Sequence, residues 1–239
     1  MLWYEKLKTK KGRAWGYTGL SAFLLFLLVL EPLIPTKGLL NVLIWEAAFL
    51  LVVLAALSSA VARPRTIVIL VLLGLLSEVL AAASVVLDDD NVLYLISAGV
   101  RIAFLAAMSF FILRHVFLGG EITSDKVLGA VCVYLLLGMT FGFAFSIVGA
   151  LDEGAFAIPA HLQQSMGTVR EAHSVYAYFS MTTITTLGYG DVTPVHPVAR
   201  SIAMIEAAVG QLYIAIVIAG LVGVRITTGA KRSNGDASD

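Results

Sequence analysis

Six runs of apolar residues, each long enough to cross a bilayer as a helix, constrain what this chain can fold into. The hydrocarbon core of a membrane is spanned by about 20 apolar residues in helical form. Prolines, the acidic triplet 88–90 and the pair Gly119-Gly120 separate the runs, and such residues interrupt an apolar helix. The predicted spans are 17–36, 39–62, 66–87, 91–118, 124–150 and 195–224.

The composition also indicates a membrane protein. The chain is 59% hydrophobic and 13% charged, whereas soluble domains contain about 45–50% apolar and about 25% charged residues. Its formal net charge is zero, so the charge balance does not favour nucleic acid as a partner. The single cysteine, Cys132, excludes an internal disulfide and a cysteine-rich metal site. We therefore expect an all-α membrane protein that lies in a lipid bilayer and needs no cofactor.

The basic residues predict how the spans are oriented. They concentrate in the N-terminal segment 1–16, in the second-to-third and fourth-to-fifth links, and in the tail after residue 225. With six spans these segments fall on one side, which the positive-inside rule makes cytoplasmic. The basic N-terminus followed by an apolar run is similar to a secretory signal, but no small-residue cleavage site follows. We expect a multi-pass protein of the cell membrane with both termini in the cytoplasm.

A link of roughly 45 residues joins the fifth span to the sixth, which is too long for a plain turn. Within it, residues Ser174 to Thr185 predict a helix of about twelve residues, too short to cross a membrane. Ser174 is a plausible N-cap for this helix. Irregular backbone at membrane depth must be buried in protein or line a watery cavity. We therefore expect the helix to be re-entrant and the residues after it to be buried or to line a pore.

The glycines after this helix predict an unusual backbone. Gly188 and Gly190 are two residues apart, and glycine adopts left-handed conformations that other residues avoid. Left-handed residues at alternate positions would turn successive carbonyl oxygens to the same side of the chain. The oxygens of Thr186, Leu187, Gly188 and Tyr189, with the Thr186 hydroxyl, could then replace the water shell of a cation. One chain supplies one wall, so several copies must surround an axis.

The letters TLGYGD at residues 186–191 resemble the selectivity filter of potassium channels, in which four such loops surround the ions. The resemblance implies a homotetramer that conducts K+ passively, with the ion held by residues 186–190. Tyr189 matches the potassium-selective pattern. Leu187 departs from it, because valine or isoleucine is usual there; the carbonyl is unaffected, but the packing behind it differs.

The resemblance covers about residues 124–225 and implies roles for further residues. Tyr178 and Phe179 occupy the positions of an aromatic cuff around the filter, with bilayer or core packing as the alternative. Tyr178 is placed to hydrogen-bond Asp191 behind the filter. Gly210 matches a gating hinge, with close helix packing as the alternative. Residues assigned to support of the filter are Tyr178, Phe179, Thr182, Asp191 and Glu206.

Glu206 is an acidic residue about halfway along the sixth span. Two interpretations stay open for it. It could accept a hydrogen bond behind the re-entrant helix, from Thr182 or Thr183, or it could face the cavity and bind cations. We expect the structural role.

Four helices ahead of a pore module resemble the layout of voltage-gated channels. The predicted domains are a basic N-terminus (1–16), a sensor-like four-helix domain (17–118), a pore domain (119–225) and a disordered tail (226–239). The arginine-rich fourth helix of that family is absent. Arg101 lies near the midplane of the fourth span, and an unpaired charge there is costly. We expect Arg101 to pair with Glu78, Glu46 or both, and voltage dependence to be weak or absent.

Other functions find less support in the sequence. There is no HExxH or GxSxG motif, so we expect no enzyme, and the two halves do not look related as in many secondary transporters. The remaining alternatives are a weakly selective monovalent cation channel of the same architecture and a non-conducting scaffold subunit. His161, His173 and His196 lie in or beside the long link and are either sensors of external pH or ordinary surface residues.

Overall fold

The computed structural model describes residues 17–30, 64–86, 91–118, 123–164, 166 and 169–224. The predicted second span, 39–62, with Glu46, and the terminal segments 1–16 and 226–239 lie outside these residues. The helices are α1 (Tyr17–Leu30), α2 (Pro64–Val86), α3 (Asn91–Leu118), α4 (Ser124–Leu151), α5 (Ala160–Gln163), α6 (Val169–Ile184) and α7 (Pro197–Leu212). The strands β1 (Phe156–Ala157) and β2 (Thr193–Pro194) are two residues each. The described chain is thus mostly helical.

Three helices are long and apolar enough to cross a membrane. They are Asn91–Phe117, Ser124–Leu151 and Pro197–Val224. Shorter apolar stretches, Tyr17–Phe26 and Val68–Ser84, lie in α1 and α2. The protein is therefore a helical, multi-pass membrane protein, and the total of six spans stays a prediction.

Local signals explain where the long helices begin. At α4 the Thr123 side chain accepts a hydrogen bond from the amide of Lys126, at 3.4 Å, as an N-cap residue does. At α7 His196 has the same role, because its Nδ1 accepts from the amide of Val198 at 3.2 Å. Pro197 follows at the first helical position, where its missing N–H costs nothing. The last span therefore begins at Pro197, two residues later than predicted.

The last span is not a regular α-helix throughout. After α7 it continues through a π-helical segment, Tyr213–Ile218, and returns to α-helix up to Val224. Tyr213 holds this segment to α4, since its hydroxyl donates to the backbone oxygen of Ala130 at 2.8 Å. We call the whole of Pro197–Val224 the inner helix.

Helix α4 lies at the centre of the packing and contacts α1, α3, α6 and the inner helix. Beside it, an aromatic cluster joins α4, β1 and α6. Its members are Phe145, Phe156, Tyr176 and Phe179, with ring centroids 4.8 Å apart for Phe145–Phe179 and 5.0 Å for Phe156–Tyr176. This cluster fixes α6 against α4.

The two short strands fasten the ends of the long link together. Phe156 pairs with Pro194 and Ala157 with Thr193 in an antiparallel register. The backbone oxygen of Ala155 also accepts from the amides of Val195 and His196, at 2.8 and 3.1 Å. The segment between the strands, which contains α6 and the glycine motif, is therefore held at both ends.

An ion pair joins α2 to α3. Arg101 Nη2 lies 3.6 Å from Glu78 Oε1, and both side chains are largely removed from solvent. The Arg101 guanidinium also lies over the ring of Phe143 on α4, with Cζ 5.5 Å from the centroid, a cation–π geometry. Arg101 thus connects α2, α3 and α4.

Gly210 lies where α7 approaches the end of α6 most closely. A Cβ added at Gly210 would lie 2.6 Å from the backbone oxygen of Ile184. The same oxygen accepts a hydrogen bond from the Tyr134 hydroxyl at 2.8 Å. Close packing therefore explains why position 210 is a glycine. The departure from α-helix begins three residues later, at Tyr213.

We expect Gly210→Ala to lower the melting temperature in detergent, because the new methyl group meets a backbone atom that cannot swing aside. The expected cost is about 1–3 kcal/mol, the usual range for overpacking. Gly99→Ala on α3 is the matched control, since a Cβ there meets nothing within 4 Å. Equal melting temperatures for the two variants would contradict the close-packing role.

Candidate functional site

The candidate site begins where α6 ends. Helix α6 has 16 residues, so it is about 24 Å long and still too short to cross a membrane. It begins at Val169 and not at Ser174, so the prediction of Ser174 as the N-cap is wrong. Ser174 lies inside the helix, where its amide takes part in helical bonding. The helix is longer than predicted, but it still ends inside the protein, at the buried residue Ile184.

The threonines near this end use their hydroxyl groups within the helix. Thr182 and Thr183 donate to the backbone oxygen of Phe179, at 2.9 and 2.8 Å, and Thr185 donates to that of Met181 at 2.6 Å. Thr186 differs from them. Its side chain is exposed and makes no hydrogen bond to any residue that the structure describes. Its hydroxyl is therefore available to an ion or to water.

The loop that follows is tied back to α6. The backbone oxygen of Thr182 accepts from the amides of both Leu187 and Gly188, at 2.9 and 3.0 Å. The amide of Thr186 donates to the backbone oxygen of Thr183 at 3.0 Å. These bonds use the first amides of the loop on the helix side and leave the loop carbonyls for another partner.

The loop backbone alternates in handedness. Three residues, each two positions from the next, have left-handed dihedrals: Thr186 with φ 60°, Gly188 with φ 53° and Gly190 with φ 78°. The glycines were expected to do this, but Thr186 was not. A β-branched residue with positive φ is a genuine outlier and costs of order 1–3 kcal/mol. The one signal in the sequence was the spacing, since Thr186 lies two residues before Gly188.

The loop side chains are exposed in the single chain. Leu187 is 54% exposed and Tyr189 is 69% exposed, whereas Ile184 just before them is 1% exposed. Two large, exposed side chains only two residues apart are unusual for a surface loop. They mark a face that another molecule is expected to cover.

Tyr178 and Asp191 brace the far end of the loop. The Tyr178 hydroxyl donates to Asp191 Oδ2 at 2.8 Å, and the other carboxylate oxygen accepts from the amide of Val192 at 3.0 Å. The hydrogen bond from Tyr178 is the main cause that lowers the pKa of Asp191 below its usual value. Phe179 points elsewhere, into the aromatic cluster. Of the two predicted aromatic neighbours, Tyr178 hydrogen-bonds Asp191, whereas the Phe179 ring packs on Phe145 and Phe156.

Glu206 is fully buried where α7 meets α6. Its Oε1 lies 2.5 Å from Ser180 Oγ. The predicted partners, Thr182 and Thr183, are wrong, because both hydroxyls are bonded to Phe179 of their own helix. The cavity-facing interpretation is also wrong for this structure, since Glu206 has no exposed surface. Ser180 was missed because the sequence does not show which side of α6 faces α7.

The remaining candidates fall into separate places. His173 stacks on Phe143, with centroids 4.1 Å apart, and its Nδ1 lies 2.8 Å from Ser146 Oγ, so it is a packed residue. His161 is exposed on α5. Cys132 is buried in the core. No group of three potential metal-ligating side chains occurs in the described ranges.

Comparison with known proteins supports a channel. Residues 131–225 match the family model described as “Ion channel”. This range contains most of α4, all of α6, the loop and the inner helix. No curated protein matches the chain significantly, and neither does any solved structure.

We expect Tyr178→Phe to raise the pKa of Asp191 toward its usual value, because the lowering hydrogen bond is lost. An acid with a lowered pKa stabilises the folded state above its unfolded pKa, and this stabilisation disappears as the pH falls through the folded pKa. The variant should therefore melt below wild type at neutral pH, by at most about 1 kcal/mol because Asp191 is exposed. The difference should shrink below about pH 4.

The control for this measurement is Tyr176→Phe. Tyr176 lies on the same helix, and its hydroxyl makes no hydrogen bond with another described residue, so its removal should leave the pH profile of melting unchanged. A Tyr178→Phe deficit of the same size at acid and neutral pH would show that the hydroxyl does not act through the Asp191 carboxylate.

Proposed function

We propose that the protein is a potassium-selective channel in which four copies surround a pore lined by the backbone oxygens of residues 186–189. The observation that carries the proposal is the left-handed backbone at Thr186, Gly188 and Gly190. In an extended strand, successive residues face opposite sides. Alternating handedness instead turns successive carbonyl oxygens to one side, and such a row can replace the water shell of a potassium ion.

The position of α6 favours a cation at this loop. The C-terminal end of a helix carries a partial negative charge, and α6 ends at Ile184, two residues before Thr186. The helix end and the row of oxygens therefore both attract a cation. The free Thr186 hydroxyl adds a further oxygen at the inner end of the row.

The exposed surface supports assembly from several copies. One chain supplies one wall of a pore, and a closed ring needs repeated copies around an axis. Besides Leu187 and Tyr189, the inner helix exposes Met204 at 67% and Ile216 at 67%. These residues suit a face that lines the pore or packs on a neighbouring copy. A homotetramer follows from the resemblance of residues 186–191 to potassium-channel filters.

Selectivity for potassium rests on the loop residues. Tyr189 retains the potassium-selective pattern, while Leu187 departs from it. A weakly selective monovalent cation channel of the same architecture is the main alternative, and a non-conducting scaffold subunit is the other. The measured reversal potential separates the three, because the alternatives predict a value near zero or no current.

We expect purified protein in liposomes, with potassium on one side and sodium on the other, to reverse near the potassium equilibrium potential. Gly188→Ala should abolish this current. Alanine at φ 53° costs about 1–2 kcal/mol, and in the single chain a Cβ at Gly188 meets nothing within 4 Å. The loss would therefore come from the backbone conformation and not from crowding within the chain.

Gly99→Ala is again the control, and it should conduct like wild type. Robust current that reverses near zero would replace the proposal by a weakly selective channel. Unchanged potassium selectivity in Gly188→Ala would show that ions do not pass along this loop.

We also expect the current to depend weakly on voltage or not at all. Steep gating uses roughly 3–4 charges per subunit, each worth about 2.3 kcal/mol per 100 mV. Arg101 is the basic residue deep in α3, and it is paired with Glu78. Arg114 lies near the helix end, where its side chain can reach the interface.

The measurement is the conductance–voltage curve of wild type beside Arg101→Gln. Shallow curves of similar slope are expected for both. A lower melting temperature is expected for the variant, because the largely buried ion pair between Arg101 and Glu78 is lost. A steep curve that disappears in Arg101→Gln would identify Arg101 as a voltage sensor and contradict the prediction.

A further inference from the structure

Three helices meet at one hydroxyl group, that of Ser180 on α6. Ser180 Oγ lies 2.5 Å from Glu206 Oε1 on α7 and 2.6 Å from the backbone oxygen of Gly138 on α4. All of these residues are buried, and Glu206 and Ser180 have no exposed surface. Bulk solvent therefore does not reach these contacts within the chain.

The number of protons needed for these two short contacts shows whether Glu206 is protonated. A serine hydroxyl carries one proton, and a backbone carbonyl oxygen can only accept. The short contact to Gly138 therefore uses the Ser180 proton. The second short contact needs another proton between Ser180 Oγ and Glu206 Oε1, and only a protonated Glu206 can supply it. One shared proton would not give two contacts this short.

The surroundings of Glu206 agree with a neutral acid. Among the described residues it makes no ion pair, and its Oε2 has no hydrogen-bond partner. An unpaired oxygen of a neutral acid is tolerable, whereas a buried unpaired carboxylate is very costly. From α4, Tyr134 interacts with Glu206 electrostatically, but its proton is donated to Ile184. On the inner helix, Arg200 and Tyr213 donate to backbone oxygens elsewhere.

We propose that Glu206 is held as a neutral carboxylic acid, and that its proton joins the inner helix to the filter-bearing α6. If the proton is lost to solvent, the one proton of Ser180 cannot serve both Gly138 and the carboxylate. The link from α6 to α4 or to α7 must then break. Ser180 lies two residues before Thr182, whose backbone oxygen holds the loop. In the channel proposed above, on which this regulation rests, loss of the proton therefore reduces conduction.

Infrared spectroscopy of the reconstituted full-length protein tests the protonation state without any need for current. A protonated carboxylic acid has a carbonyl band that a carboxylate lacks. We expect this band at neutral pH in wild type and its loss in Glu206→Gln. Absence of a Glu206-dependent band at neutral pH would overturn the proposal, whether or not the protein conducts.

Paired variants test what the proton does. Glu206→Gln keeps a donor for Ser180 Oγ, so its melting temperature and potassium current should stay close to wild type. Ser180→Ala removes the shared hydroxyl and should lower both. As the pH is raised, wild-type current should fall while the Glu206→Gln current stays level.

Two results would contradict this role. If Glu206→Gln folds normally but loses its current, the ionised form of Glu206 is the functional one. If wild type and Glu206→Gln show the same dependence on pH, the Glu206 proton does not control conduction. Neither result bears on potassium selectivity, which the reversal potential of wild type decides separately.

Discussion

The backbone oxygen of Thr182 accepts hydrogen bonds from the amides of both Leu187 and Gly188, and the candidate site depends on this double contact. It ends α6 within the protein and turns the chain back along the helix. The turn is tight enough to require a left-handed residue at Thr186, although threonine resists that conformation. The strain is tolerated because the amides are satisfied on the helix side. The carbonyl oxygens are thereby left for a partner outside the chain.

Helix α4 holds α6 and the loop that follows it in place. It supplies Phe145 to the aromatic cluster, the Tyr134 hydroxyl to the end of α6, and the Gly138 oxygen to Ser180. The β1–β2 pair then fixes the segment after the loop to the segment after α4. The loop is thus supported from its helix, from its far end and from the side. The described contacts therefore restrain the loop at both of its ends.

Sequence patterns predicted the helices of this fold better than their contacts. The bounds of α3 and α4 agree with the predicted spans within one residue, because their apolar runs end sharply at polar residues or glycines. The start of α6 was missed because Ser174 has the right side chain for a cap, whereas the helix already begins five residues earlier, at Val169. The partner of Glu206 was missed for a different reason. The hydroxyls of Thr182 and Thr183 are used by their own helix, and only the rotation of α6 shows that Ser180 faces α7.

The π-helical segment Tyr213–Ile218 changes which residues of the inner helix share a face. A π turn accommodates one extra residue, and one residue corresponds to about 100° of rotation in an α-helix. The side chains of residues 219–224 are therefore turned by about a quarter of a revolution relative to an uninterrupted α-helix. A helical wheel drawn through the whole span would assign those residues to the wrong side. The π segment therefore determines which side chains face outward at the proposed cytoplasmic end of this helix. The hydrogen bond from the Tyr213 hydroxyl to α4 holds the start of the π segment, and so the position of the rotation, in place.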